Sequence, residues 1–187
     1  MKKISLLILI IAMFFTTQVK AVEKGDFHMN ITTNLGHHSF IGNDSFTQDK
    51  KDYAYKFVAG VTVNMDYAVS PYFSLGGWFT FAGKQKDPIF KYRYFGIGMR
   101  GNFHLYQLIS EKGNAKLDAD KFDVYIPLAI GGGFQLKDKV NGHKFRGGAI
   151  VGSGIGVTYY FVEHIGATLE TGYNEASYAK IGLSFKF

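Results

Sequence analysis

The chain contains no cysteine, only three prolines and a single tryptophan. Without cysteine there is no disulfide, no thiolate nucleophile and no cysteine-held metal or cluster. Beyond the first twenty residues there is no run of 18 or more apolar residues, so no later helix can cross a bilayer. Strong charge is missing too. The formal charge is +6, and residues 1–21 hold three lysines and no acid, which leaves +3 on the remainder. That is too mild to point to a nucleic-acid partner. The glycine stretches Gly131-Gly132-Gly133, Gly147-Gly148 and Gly152-Ser153-Gly154-Ile155-Gly156 lack the Lys-Ser/Thr and the following helix of a phosphate loop. They read as space-making glycines on strands.

What the chain has in quantity is glycine (23), phenylalanine (18) and tyrosine (12). They are set in alternation. In Lys180-Ile181-Gly182-Leu183-Ser184-Phe185-Lys186-Phe187 the apolar residues share one parity and the small or polar residues share the other. This is a period-2 strand with a greasy face. The same rhythm predicts strands over about Asp26–Gly36, Tyr55–Tyr67, Phe73–Ala82, Tyr92–Phe103, Phe122–Leu136, Phe145–Tyr160, Ile165–Tyr173 and Tyr178–Phe187. One face collects Phe, Ile, Leu and Met, and the other collects Gly, Asn, Thr and charges. A soluble barrel places its large apolar residues inside, whereas a barrel in lipid places them outside, which is the arrangement expected here. Trp78 has inward parity and is expected in the lumen, unless a one-residue bulge turns it out to the aromatic belt.

The ends agree with this reading. Met1-Lys2-Lys3, the apolar stretch Ile4 to Phe15, and Val19-Lys20-Ala21 form a secretory signal with cleavage expected after Ala21. The predicted organisation is a signal peptide over 1–21 and one barrel domain over 22–187. Its fold class is all-β, an eight-stranded antiparallel transmembrane barrel in an up-and-down meander. An even strand count puts both termini on the periplasmic side. Tight turns are expected at Val69-Ser70-Pro71-Tyr72 and Phe161-Val162-Glu163-His164. The connection His104–Lys121 is long, with a helix start at Leu105-Tyr106-Gln107-Leu108-Ile109-Ser110. Outer connections are expected at His37–Tyr53, Gly83–Lys91, Lys137–Lys144 and Asn174–Ser177.

The stretches Gly96-Ile97-Gly98-Met99-Arg100-Gly101-Asn102-Phe103-His104, Asp123-Val124-Tyr125 and Glu170-Thr171-Gly172-Tyr173-Asn174, together with the terminal strand, resemble the porin-like small outer-membrane barrels of the OmpA/OmpX type. The resemblance covers most of the chain after residue 21. It implies residence in the cell outer membrane, a non-enzymatic role and no cofactor. It also implies that the terminal aromatics, Phe185 and Phe187, act as a signal to the barrel-assembly machinery.

Candidate chemistry sits on the inward parity. Lys56, Asp66, Arg100, Asp123, Glu170, Lys180 and Lys186 bring both signs of charge into a narrow lumen, where a mutually paired plug outweighs catalysis. Arg100 and Glu170 are the expected cross-lumen pair. His37, His38 and His143 read as solvated loop histidines rather than metal ligands, and no metal is expected. His37 or His38 with Ser39 does not form the strand-borne pair that a lipid-modifying barrel needs. Lys84, Lys86, Arg93, Lys137, Lys139 and Arg146 form a basic rim suited to lipopolysaccharide phosphates. The function expected is a structural or surface-interaction protein, monomeric, touching outer-membrane lipid and lipopolysaccharide and presenting its loops outside to a partner the sequence does not name. The alternative is a narrow channel or carrier for ions or small solutes.

Overall fold

The computed structural model describes residues 21–35, 60–87, 90–112, 121–139, 142–175 and 177–187. Eight strands follow one another in the order β1 (Phe27–Leu35), β2 (Gly60–Ser70), β3 (Phe73–Asp87), β4 (Phe90–His104), β5 (Phe122–Lys139), β6 (Gly142–Val162), β7 (Ile165–Asn174) and β8 (Ser177–Lys186). A helix, α1 (Leu105–Lys112), lies between β4 and β5. Each strand pairs antiparallel with its sequence neighbour, and β1 pairs with β8 to close the barrel. Closure removes open edges over the height that all eight strands share, which strands need in a medium that offers no water to unpaired backbone groups.

The alternation in the sequence sorts residues onto the two faces. Val61, Met65, Leu75, Phe79, Phe81, Ile97, Met99, Leu128, Ile130, Ile155, Leu169, Ile181 and Leu183 are exposed on the outer face. Asn30, Thr32, Asn34, Thr62, Asn64, Asp66, Thr80, Arg100, Thr168 and Glu170 are buried inside. A protein in water would not spread so much apolar surface around its girth, since large exposed apolar patches mark interaction with protein or membrane. A barrel with this inside-out pattern is a transmembrane barrel.

The wall is uneven in height. β7 and β8 have 10 residues each, which matches the span of one bilayer crossing. β3 and β4 have 15 each, β5 has 18 and β6 has 21. The tall side therefore continues beyond the membrane at the end opposite the termini. Much of what reads in the sequence as outer connection, Gly83–Lys91 and Lys137–Lys144, is ladder instead. Gly83 pairs with Arg93 and Lys137 with Lys144. The connection at His37–Tyr53 lies outside the described residues.

At the termini end the turns are tight. Pro71-Tyr72 and Glu163-His164 reverse the chain. The backbone groups of Phe27 and Phe187 bond each other in both directions at 2.9 Å. Gly25, at φ 101°, lets residues 23–26 fold under the rim, where the Gly25 N–H donates to the Ala68 carbonyl at 2.8 Å. Ala21 and Val22 pack with Ala68 and Tyr160 and cover this mouth. α1 begins where the sequence suggests. It buries Gln107, exposes Ile109 and sets Tyr106 against Phe122, so it lies along the same rim.

Candidate functional site

The lumen is filled in three layers, and each draws on inward residues of several strands. The middle layer holds the charge. Arg100, on β4, donates through Nη2 to Glu170 Oε1 on β7 at 2.9 Å and through Nη1 to Glu175 Oε1 at 2.7 Å. Its Nε lies 3.5 Å from Asp66 Oδ2 on β2. Asn102 Oδ1 accepts from Nε and Nη2 at 3.0 and 2.7 Å. Lys180 Nζ on β8 reaches Glu170 Oε2 at 2.5 Å and also bonds Glu175 Oε2. Tyr125 donates to Glu170 Oε1 at 2.9 Å and lies across Gly156, its register partner. Every one of these charged side chains is at most 2 % exposed. Buried charges hold only when each finds partners, and this cluster gives Arg100 three carboxylates.

So the structure brings Arg100, Glu170, Asp66 and Lys180 together. It places Asp123 elsewhere, beneath the cluster, and Lys186 at the rim, 4.0 Å from Asp26. Lys56 lies outside the described residues. Glu175 belongs to the cluster, although its place between β7 and β8 reads as an outer connection. Its φ of 50° turns a two-residue reversal inward, and a turn position carries no parity to announce it.

The layer above sets an apolar cluster beside buried Asn34, Thr62 and Thr80, where Thr62 Oγ1 donates to Asn34 Oδ1 at 2.9 Å and lies 2.6 Å from Thr80 Oγ1. Trp78, Ala82, Tyr94, Ala129 and Ile150 form one buried cluster. Trp78 is inward, as its parity implies, and lies flat on glycines. A Cβ built on Gly96 would stand 2.8 Å from its Cζ3, and one on Gly131 would stand 2.6 Å from its Cζ2. An eight-stranded lumen takes an indole only where the facing wall has no side chains.

The layer nearest the termini is polar. Ser74 Oγ lies 3.1 Å from His104 Nε2, and His104 Nδ1 lies 2.8 Å from Asp123 Oδ2. That order of groups resembles an activated nucleophile. However, Ser74 Oγ also accepts from Asn102 Nδ2 at 3.0 Å, and all three residues are buried. The adjoining cavity, lined by His28, Asn30, Asp66, Ser74, His104 and Asp123 among others, leaves about 10 Å³ for the centre of a water molecule. That admits one water and no substrate acyl group. The trio acts as a brace between β3, β4 and β5. His28 Nδ1 and Tyr160 Oη, 3.0 Å apart, and Tyr160 Oη and Ser184 Oγ, 3.2 Å apart, tie β1, β6 and β8 in the same layer.

The remaining candidates are on the wall. Arg93 is exposed and has the parity of Phe95 and Ile97. The side chains of Lys84, Lys86, Lys137, Lys139 and Arg146 lie outside the described residues. Their backbones are in the upper ladders, with Lys84 opposite Tyr92 and Arg146 opposite Gln135. His37, His38, Ser39 and the side chain of His143 also lie outside the described residues. Phe187 is exposed with its ring 6.4 Å from that of Phe27, and Phe185 is half-buried at the β1–β8 seam.

No protein-family model and no curated protein matches the chain. Solved structures do. The attachment invasion locus protein Ail of Yersinia pestis is 13% identical, with 89% of this chain and 100% of that chain covered and a TM-score of 0.54. The outer membrane protein OprG of Pseudomonas aeruginosa is 8% identical, with 90% and 99% covered and a TM-score of 0.56. Neisserial surface protein A is 11% identical, with 87% and 99% covered and a TM-score of 0.54. All are eight-stranded outer-membrane barrels, the type that the sequence resembles. At these identities the likeness is one of fold.

Proposed function

We propose that this protein is an integral outer-membrane barrel of a Gram-negative cell with a structural or surface-interaction role and no enzymatic activity. It is exported through a signal peptide cleaved after Ala21, and its termini face the periplasm. The observation that carries this reading is the pairing of an apolar girdle with a lumen shut by the Arg100 cluster. A wall taller than the bilayer on its β3–β6 side then becomes the part offered to the outside. The terminal aromatics Phe185 and Phe187 serve assembly. The basic positions Lys84, Lys86, Arg93, Lys137, Lys139 and Arg146 contact lipopolysaccharide, with the exposed Arg93 the best placed to meet phosphate from the lipid side. The barrel acts as a monomer without a cofactor.

The reading is tested by fractionation together with planar-bilayer recording. The protein is expected in the outer membrane, running faster unboiled than boiled on a detergent gel, and silent in bilayers. Recovery as a soluble periplasmic monomer overturns the barrel assignment. Steady unitary steps would favour the alternative, a narrow ion or solute path, which draws its support from the polar lining between His28 and Asp66.

A further inference from the structure

The polar layer beneath the Arg100 cluster has properties that the plug does not use. Three side-chain oxygens and one ring nitrogen around one cavity have no hydrogen-bond partner: Asn30 Oδ1, Asp66 Oδ1, Asp123 Oδ1 and His28 Nε2. The residues of the three oxygens are 5, 1 and 3 % exposed. Two of the oxygens belong to carboxylates and accept only, and the third is an amide oxygen, so three acceptors face one imidazole nitrogen and the demand for positive charge or donors is met at most in part. The free space takes one occupant the size of a water molecule.

The charge count points the same way. Among the described residues, four carboxylates are buried in the lumen, on Asp66, Asp123, Glu170 and Glu175. Arg100 and Lys180 answer two of them, His104 bonds the Asp123 carboxylate, and Lys186, over the Tyr160 ring, is shared with Asp26 at the rim. Buried negative charge in excess of its counter-charge is costly, and the cost falls when a cation enters. Among the described residues no three His, Cys, Asp or Glu side chains converge on one metal position, so any ion here has at most two carboxylate ligands. Two carboxylates and an amide oxygen suit a hard ion of single charge, which takes oxygen ligands in place of its hydration shell.

We propose that this cavity is a binding site for one small monovalent cation, held by Asn30, Asp66 and Asp123, with His104 fixing the Asp123 carboxylate. The cation supplies the missing counter-charge and ties β1, β2 and β5 across the lumen beneath Arg100.

The test uses the refolded full-length barrel in detergent at one pH and one ionic strength, with sodium or potassium chloride exchanged for choline chloride. Choline is too large for the cavity. A site filled to ten times its Kd raises the folded-to-unfolded ratio about tenfold, which is read as a higher thermal midpoint by the gel-shift assay. The rise is expected to vanish in Asn30→Leu, which removes one oxygen and fills the space, and to shrink in Asp123→Asn. Equal midpoints in sodium, potassium and choline overturn the proposal, as does an alkali effect that survives in both variants. Crystals soaked in thallium are expected to show an anomalous peak among the three oxygens. A water-like density with no anomalous signal overturns it even if a variant fails to fold.

Discussion

The charge cluster around Arg100 and the aromatic layer around Trp78 are one inward step apart on the same ladder, since Gly76 pairs with Arg100 and Trp78 with Gly98. They close the same lumen in different ways. The cluster is held by directed bonds that reach across the barrel from β4 to β7, β8 and β2. The aromatic layer is held by shape, an indole laid on a wall of glycines. Directed bonds fail all at once when a partner is removed, because the others are left charged and dry. Shape fails in proportion to the volume lost. Arg100→Ala therefore has the largest expected effect. It strands Asp66 and leaves Glu170 and Glu175 to share Lys180, and should cost about 3–5 kcal/mol of unfolding free energy in urea. In a double-mutant cycle Arg100→Ala and Glu170→Ala should be strongly coupled, and coupling near zero would erase the contrast between the layers.

The aromatic layer answers next. Trp78→Ala should cost about 3–4 kcal/mol, with most of it recovered in Trp78→Phe, because the loss there is of packed volume and not of a counter-charge. Recovery by a smaller ring has no analogue in the cluster, where Arg100→Lys cannot keep three carboxylates in a planar fork. If Trp78→Phe is as damaging as Trp78→Ala, the layer depends on the full outline of the indole, since its N–H has no partner to lose.

A smaller effect probes the glycine side of the same contact. A Cβ on Gly96 meets only side-chain atoms, Trp78 Cζ3 at 2.8 Å and Tyr94 Oη at 3.0 Å. Gly96→Ala should cost about 1–3 kcal/mol by overpacking, and much less in a Trp78→Leu background. Equal costs in both backgrounds would show that Gly96 serves the strand and not the indole.

These contrasts also show what a period-2 pattern can and cannot carry. Alternation assigns a residue to a face, so the outward Ile97 and Met99 and the inward Trp78, Arg100 and Glu170 can be read from sequence. Height on the wall is another matter. Which inward residues meet is set by strand stagger and tilt around the closed barrel, and neither leaves a local trace. That is why Asp123, which shares inward parity with Asp66, ends beside His104 while Asp66 faces Arg100. The Ser74–His104 contact is invisible for the same reason, since thirty residues separate the partners. Glu175 escapes because a turn residue at positive φ has no face at all until the chain folds. The upper ladders of β3 to β6 escape because residues such as Lys84, Gln85 and Lys86 leave the bilayer and no longer alternate greasy with polar.

The smallest expected effect concerns the outer wall, where neither directed bonds nor packing dominates. Arg93 is exposed, one residue from the buried Tyr94, at a level where the wall passes the height of its short strands. An exposed guanidinium in water contributes little, roughly 0–1 kcal/mol, and salt screens it. Against an array of lipid phosphates the same group gains charge-assisted bonds that a glutamine cannot make. Arg93→Gln should therefore leave the urea midpoint in plain detergent unchanged and lower lipopolysaccharide co-purification, more so at low salt than at high. Replacing Lys84, Lys86, Lys137 and Lys139 by Gln as well should deepen that loss if the tall wall meets lipid as a whole. Loss confined to Arg93→Gln would assign the lipid contact to the outward parity alone and leave the lysines to the space enclosed by the upper ladders. Retention unchanged in both would make the basic rim a solvated surface, and the tall wall would then need a partner other than lipid.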